Sequence, residues 1–139
     1  IVSDLVFSMD GDTAPVDALL DLAERYDAWL YLDAAHGFGV LNEGRVGLTK
    51  RARASDRVVY LATLGKAAGL AGAVVAAHQS VIDWLIQKAR SYIYTTASPP
   101  LLAACLLESL RQIEAGTYKR HVFKANLHDR ERGLAPMES

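Results

Sequence analysis

The sequence has little cysteine, no excess of charge of either sign and no long apolar segment. Its 139 residues include one cysteine, Cys105, so an intrachain disulfide is excluded and a reducing, cytoplasmic compartment is expected. Fifteen Lys and Arg against sixteen Asp and Glu give a formal net charge of −1, which argues against nucleic acid or an anionic membrane surface as a partner. The charge-free run 67–82 contains Gly69, Gly72 and His78 and falls short of the ~20 apolar residues that a spanning helix needs.

The chain also lacks an initiator Met, a basic leader and a signal-peptide pattern at its start. It opens directly into the apolar run 1–7, which is rich in residues that favour strands. A chain that begins inside a core strand is expected to be a piece of something longer.

The composition fits one globular domain, because 51% of the residues are hydrophobic and 22% are charged. Apolar runs and helical periodicity alternate along the chain. The predicted strands are 1–7, 29–33, 58–62 and 72–77, and the predicted helices start near Pro15, Ser80 and Ser98. The run 29–33 has the composition of a strand buried on both faces. A loop with room for one short helix is expected over 34–57, and Gly116 is expected to end the last helix. This order predicts an α/β fold with a mainly parallel sheet.

Several familiar sites are excluded by the spacing of their residues. Gly37-Phe38-Gly39 begins like a dinucleotide fingerprint, but Asn42 stands where the third Gly belongs. Gly65-Lys66 is followed by Ala67 and so departs from a phosphate-binding loop. The four histidines and Cys105 show no metal-ligand spacing, and Cys105 is expected to be a small core residue. No metal site is predicted.

Polar residues at strand ends are the remaining candidates. Asp33 closes the second predicted strand and His36 follows three residues later. Ligands of parallel α/β sheets bind at the carboxyl ends of the strands, so both residues are placed to meet one. A capping Asp beside an ordinary loop His explains the same spacing equally well.

Lys66 follows the third predicted strand among small side chains, at 67–69 and 71–72. A lysine in apolar surroundings has its pKa lowered by desolvation, which suits it to Schiff-base chemistry. The spacing by itself favours a surface lysine in a loop rich in Gly and Ala.

Three motifs in register carry a family resemblance. They are Phe7-Ser8-Met9-Asp10-Gly11-Asp12 followed by Ala14-Pro15, then Leu32-Asp33 with Ala35-His36-Gly37 and Gly39-Val40, then Thr63 with Gly65-Lys66-Ala67, Gly69 and Gly72. Together they resemble the α-oxoamine synthases, which are enzymes of fold type I that depend on pyridoxal 5'-phosphate (PLP). The segments 36–40 and 94–100 are most similar to the branch that condenses L-alanine with a pimeloyl thioester in biotin synthesis.

The resemblance implies a role for each matching residue. Lys66 resembles the lysine that holds PLP covalently, and Asp33 resembles the carboxylate facing the pyridine nitrogen. His36 and Ser8 resemble groups near the phenolic oxygen of the cofactor. Thr63 resembles a cofactor-binding threonine. Thr96 resembles one that reaches the PLP phosphate of the other subunit of a homodimer.

The resemblance also implies an organisation and a reaction. Residues 1–116 would be part of the large PLP-binding domain, and 117–139 a helical tail leading towards a small carboxyl-terminal domain. The substrates would be an amino acid and an acyl-CoA, and the family's ring-stacking His and phosphate-binding glycine loop would lie outside this chain. The alternatives are a sister activity, glycine C-acetyltransferase or 5-aminolevulinate synthase, and a non-catalytic α/β fragment.

Overall fold

The computed structural model describes residues 1–41 and 46–116, which form one sheet with flanking helices. The elements in chain order are β1 (Val2–Asp4), α1 (Val16–Arg25), β2 (Leu30–Asp33), α2 (Lys50–Ala54), β3 (Val58–Thr63), β4 (Ala73–Ala76), α3 (Gln79–Lys88), α4 (Arg90–Ile93) and α5 (Pro100–Ala115). The tail predicted over 117–139 lies outside the described residues.

The sheet has the order β1-β2-β3-β4 and is mainly parallel, which confirms the predicted α/β class. β1, β2 and β3 run parallel in a register that aligns Asp4 with Asp33 and Asp33 with Leu61. β4 is antiparallel to β3, with Thr63 opposite Ala73. The reason is the short connection 64–72, because a parallel return needs a crossover of a dozen or more residues.

One face of the sheet forms the core. Side chains alternate along each strand, so Leu30 and Leu32 of β2 and Tyr60 and Ala62 of β3 point inwards and are buried. α1 covers them with three buried residues at helical spacing, Val16, Leu20 and Ala23. The other face is only partly covered by the described residues, so the expectation that β2 is buried on both faces is wrong for this part of the chain.

Two helix starts differ from their predictions. α3 is capped by His78, whose Nδ1 accepts the Ser80 N–H at 3.3 Å, so Ser80 lies inside the helix. α5 is capped by Pro99 and makes no side-chain cap hydrogen bond, so the start at Ser98 is wrong by one residue. The predicted stop is confirmed, since Gly116 takes a left-handed φ of 73° that favours glycine.

Cys105 is exposed, so its prediction as a core residue is wrong. α5 packs on the core through Ile113 near its carboxyl end, whereas Cys105 lies two turns earlier on a part of the helix with little cover. Within the described residues, no helix is long and apolar enough to cross a membrane.

Candidate active site

Five of the six predicted site residues lie at or beside the carboxyl edge of the parallel strands. Asp33 is the last residue of β2 and Thr63 the last of β3. The ladder continues one residue beyond this edge, because the Leu5 N–H donates to the Asp33 carbonyl and the Ala34 N–H to the Leu61 carbonyl, both at 2.7 Å. The loops that follow β1, β2 and β3 therefore leave the sheet from one fixed edge, as expected for a ligand site in a parallel sheet.

Asp33 is held by its own loop. Its Oδ1 accepts the Ala35 N–H at 2.8 Å, and its side chain is half-buried. No hydrogen bond among the described residues uses Oδ2. Burial and then the nearby charge of Asp33 raise the pKa of Tyr31, which lies two residues earlier on the same face. The carboxylate is thus fixed in place with one oxygen left for a further donor.

Thr63 has a buried hydroxyl without a partner in the described part of the chain. The register places Thr63 on the face that carries Asp33, one strand across and two residues further along. Standard strand spacings then put their Cα atoms about 8 Å apart. An unpaired buried hydroxyl costs stability unless a ligand or another group completes it.

Lys66 sits in the loop 64–72, whose base is closed by the Leu64 N–H donating to the Gly72 carbonyl at 2.9 Å. Inside the loop, the Gly69 N–H donates to the Lys66 carbonyl at 2.9 Å. The Lys66 side chain is exposed, so the expected apolar surroundings are not provided by the described residues. The neighbouring Gly and Ala residues are too small to cover the aliphatic part of the lysine side chain.

His36 lies in the turn that follows β2. The Gly37 and Phe38 N–H groups both donate to the Ala34 carbonyl, which folds this turn back over the end of the strand. The His36 side chain is half-buried there. The turn then touches the lysine loop, because a Cβ built on Gly39 would meet the Ala67 Cβ at 2.9 Å.

Ser8 occupies the turn after β1, where the Phe7 N–H donates to the Asp12 carbonyl at 2.9 Å and the Gly11 N–H to the Phe7 carbonyl at 2.7 Å. The Ser8 side chain is exposed. The structure therefore brings the loops of Ser8, His36 and Lys66 to the edge that Asp33 and Thr63 define.

Thr96 is apart from this group. It lies in the exposed segment between α4 and α5, where its carbonyl accepts the Thr95 hydroxyl at 3.4 Å. No hydrogen bond among the described residues joins it to the strand-end residues. Its role across a subunit interface stays a prediction.

Two residues near the site were not found from the sequence. Ser109 of α5 donates its hydroxyl to the Ala68 carbonyl at 2.8 Å, and the Cδ1 of Ile113 would lie 3.3 Å from a Cβ built on Gly39. Their spacing in the sequence is typical of one face of a helix and carries no further signal. In residues 1–41 and 46–116 no group of three or more His, Cys, Asp or Glu side chains is placed to hold a metal.

Comparison with known proteins matches this chain to one family. The model of that family, described as aminotransferase class I and II, matches residues 1–134. A protein named 8-amino-7-oxononanoate synthase from Thiobacillus denitrificans is 71% identical over 139 residues, which are 100% of this chain and 36% of that protein. The chain spans about a third of the length of the curated relatives it matches.

Solved structures give the same fold. The 8-amino-7-oxononanoate synthase of Francisella tularensis aligns with a TM-score of 0.75 at 32% identity, over 99% of this chain and 42% of that one. An SPT structure with the PLP internal aldimine aligns with a TM-score of 0.75 at 26% identity, over 90% of this chain and 32% of that one. The neighbours have the mainly parallel α/β architecture of PLP-dependent fold type I, as the sequence predicts.

Proposed function

Because the chain belongs to the aminotransferase class I and II family, we propose that it is the central part of a PLP-dependent 8-amino-7-oxononanoate synthase. The enzyme would condense L-alanine with pimeloyl-CoA, or the pimeloyl-carrier protein, to give 8-amino-7-oxononanoate and CO2 with release of the thiol carrier, in biotin biosynthesis. The observation that carries this proposal is the 71% identity to a named synthase over all 139 residues. Residues 1–116 would belong to the large domain, and 117–139 would lead towards the small one.

The strand-end residues fit PLP on structural grounds. The buried Thr63 hydroxyl lacks a partner among the described residues, and the second oxygen of Asp33 takes part in none of their hydrogen bonds. Lys66 lies in the loop that directly follows Thr63. An SPT that aligns with this chain holds PLP. When bound, PLP supplies an electron sink for the electron pair released at the substrate Cα.

Asp33 would act on the ring nitrogen of the cofactor. A carboxylate within contact distance favours the protonated form of a neighbouring base by about 1–3 pKa units. That is roughly 1.4–4 kcal/mol in favour of the form that accepts electrons. The hydrogen bond from the Ala35 N–H keeps Oδ1 in place, which leaves Oδ2 for the ring nitrogen.

Lys66 would have two roles. Its Nζ would hold the cofactor covalently before the amino acid arrives, and the freed amine would then remove the proton from Cα. Removal of this proton is general base catalysis, which contributes typically 10²–10⁴-fold in rate. His36 and Ser8, on the turns beside Asp33, would contact the phenolic oxygen, and Thr63 would donate its free hydroxyl.

The remaining assignments concern partners and compartment. We propose a homodimer in which Thr96 of one subunit reaches the cofactor phosphate of the other, since Thr96 is exposed and apart from the strand-end group. The partners would otherwise be small molecules, an amino acid and an acyl thioester. The single cysteine fits a cytoplasmic enzyme.

A substrate comparison with the full-length protein tests this function. With PLP present, CoA release is followed for L-alanine with pimeloyl-CoA, and separately for glycine with acetyl-CoA or succinyl-CoA. We expect kcat/KM for the alanine pair to be higher by about a hundredfold, since selection of one methyl group and a different acyl chain combines two pocket contacts. A faster reaction with either glycine pair would contradict the proposal and indicate a sister activity.

A further inference from the structure

We propose that Ser109 of α5 is a positioning residue for Lys66, an inference that rests on the proposed function of this lysine. The Ser109 hydroxyl donates to the Ala68 carbonyl at 2.8 Å across 41 residues of chain. Ala68 lies two residues after Lys66 and is 5% exposed. The hydrogen bond therefore ties the lysine loop to a helix that contributes no other predicted site residue.

The hydrogen bond from Ser109 reaches the turn of the loop that carries Lys66. Lys66 and Gly69 are the ends of one tight turn, closed by the Gly69 N–H donating to the Lys66 carbonyl. Ala68 lies inside that turn. Two further hydrogen bonds of the loop, from the Leu64 N–H to the Gly72 carbonyl and from the Leu70 N–H to the Leu64 carbonyl, tie it to the end of β3 and leave the Ala68 carbonyl to Ser109. Holding the Ala68 carbonyl therefore fixes the turn from which the lysine side chain extends.

A second contact from α5 lies one helical turn further along. Ile113 is 3% exposed, and its Cδ1 would lie 3.3 Å from a Cβ built on Gly39. The same Cβ would be 2.9 Å from the Ala67 Cβ. Residues 109 and 113 share a helix face, because side chains four positions apart are neighbours. α5 thus holds Ala68 through Ser109, and through Ile113 it approaches Gly39, the residue that contacts Ala67.

The loop has space to move when this contact is lost. A cavity of about 380 Å³ lies between the loop and α5, lined by Ala67, Ala68 and Leu70 on one side and by Cys105, Ser109 and Ile113 on the other. The cavity leaves part of the loop unpacked, although Ala68 and Ile113 are themselves buried in the core. The directional hydrogen bond from Ser109 joins the loop to α5 beside this gap, and its loss would let the lysine turn shift while the sheet edge stays in place.

The test compares Ser109→Ala with wild type in the full-length protein, using two cofactor forms. PLP is trapped on Lys66 with borohydride and mapped by mass spectrometry, while pyridoxamine phosphate, which forms no bond with lysine, reports the rest of the site. We expect trapping on Lys66 to slow by about tenfold and exchange of the 64–72 amides in the cofactor-free protein to quicken by a similar factor. The affinity for pyridoxamine phosphate should stay within about twofold, because the strand-end residues do not move.

Two control variants separate positioning from general damage. Ser109→Thr keeps the hydroxyl and should restore both rates, whereas Ser91→Ala removes an exposed hydroxyl from α4 and should change neither. If Ser109→Ala traps PLP and exchanges its loop amides at the wild-type rates, the inference is overturned. A loss of pyridoxamine phosphate affinity as large as the loss of trapping rate would overturn it as well. If the wild-type protein traps no PLP on Lys66, the proposed function fails, and the exchange comparison still decides whether Ser109 fixes the loop.

Discussion

Two side chains at the strand ends, Asp33 and Thr63, keep hydrogen-bonding capacity that the described residues do not use. The Thr63 hydroxyl is buried without a partner, and Asp33 Oδ2 enters none of the described hydrogen bonds. A buried polar atom left unpaired costs about 1–3 kcal/mol, and Tyr60 of β3 carries a second such hydroxyl away from the strand ends. The proposed function fills both positions with a ligand that has a donor for the carboxylate and an acceptor for the hydroxyl.

Asp33→Asn tests the electronic role of the carboxylate. We expect the full-length variant to keep measurable PLP binding, because the amide has nearly the same shape. Exchange of the alanine α-proton should fall by at least about tenfold, since the charge that would keep the ring nitrogen protonated is gone. Proton exchange is followed by NMR in D2O, with Asp56→Asn, an exposed carboxylate outside the site, as the control. Undiminished exchange in Asp33→Asn would refute the role.

Thr63→Val separates stability from binding. The change removes the unpaired hydroxyl and keeps the branched shape, so the free energy of unfolding of the cofactor-free protein should be unchanged or higher. The affinity for PLP should fall by about tenfold, the value of one hydrogen bond. Urea unfolding and PLP titration measure the two effects, and Thr13→Val provides an exposed control. A clear loss of stability with unchanged PLP affinity would contradict the assignment.

At this scale the sequence marks Asp33 as a candidate site residue more readily than Lys66. A polar residue after a buried strand stands out, and the parallel register then brings Asp33 to the site edge. Nothing in the spacing of Lys66 distinguishes a cofactor lysine from a surface lysine, and its side chain is in fact exposed in the described chain. Only the family resemblance singled it out.

At the scale of elements, two loops and one helix meet behind the site. The turn after β2 and the loop after β3 are in contact where Gly39 approaches Ala67, and Ile113 of α5 approaches Gly39 at the same point. The close approach requires a residue without a Cβ, and the φ of +74° at Gly39 favours glycine independently. The positions of His36 and Lys66 are therefore linked through this contact.

Gly39→Ala and Gly69→Ala form a matched pair that measures the contact. Both glycines have a positive φ, +74° and +67°, so both substitutions cost about 1 kcal/mol from the backbone. Only the Cβ at position 39 would clash, since position 69 has no atom within 4 Å. We expect Gly39→Ala to lose a further ~1–3 kcal/mol of unfolding free energy, measured by urea denaturation. Equal losses for the two variants would show that the close approach is unimportant.

The elements themselves were largely predictable because their patterns are local. Apolar runs gave the strands, and the left-handed Gly116 ended α5 as expected. The antiparallel direction of β4 depends on the length of its connection, and the capping of α3 by His78 depends on a side-chain contact. α4, with four residues, is too short for a periodic signal. These features arise from tertiary geometry that the periodicity of a sequence does not contain.

At the scale of the whole molecule, the described residues leave one side of the fold uncovered. Large apolar side chains of α3, α4 and α5 are more than half exposed, namely Trp84, Tyr92, Leu101 and Leu107. The chain also spans about a third of the curated relatives it matches. Exposed apolar area on this scale marks surfaces that contact other protein segments or subunits. In the proposed enzyme, segments beyond the described residues are expected to cover these side chains.

The isolated chain is accordingly expected to be inactive. Residues 1–139 are expressed alone and supplied with PLP, L-alanine and pimeloyl-CoA, and CoA release is compared with that of the full-length protein. We expect at least about a thousandfold less turnover, because positioning and electrostatic stabilisation need groups fixed around the whole cofactor. Aggregation at the exposed apolar surfaces is expected as well, which light scattering detects. Turnover near that of the full-length protein would show that the site is complete within this chain.

The most direct test of the central claim identifies the lysine that holds the cofactor. The full-length protein is loaded with PLP, reduced with borohydride and digested, and the modified peptide is sequenced by mass spectrometry. We expect the label on Lys66, with loss of both the label and turnover in Lys66→Ala, because Lys66 is the lysine in the loop that follows Thr63 at the site edge. A label on Lys50 or Lys88 instead would contradict the assignment of this edge as the active site.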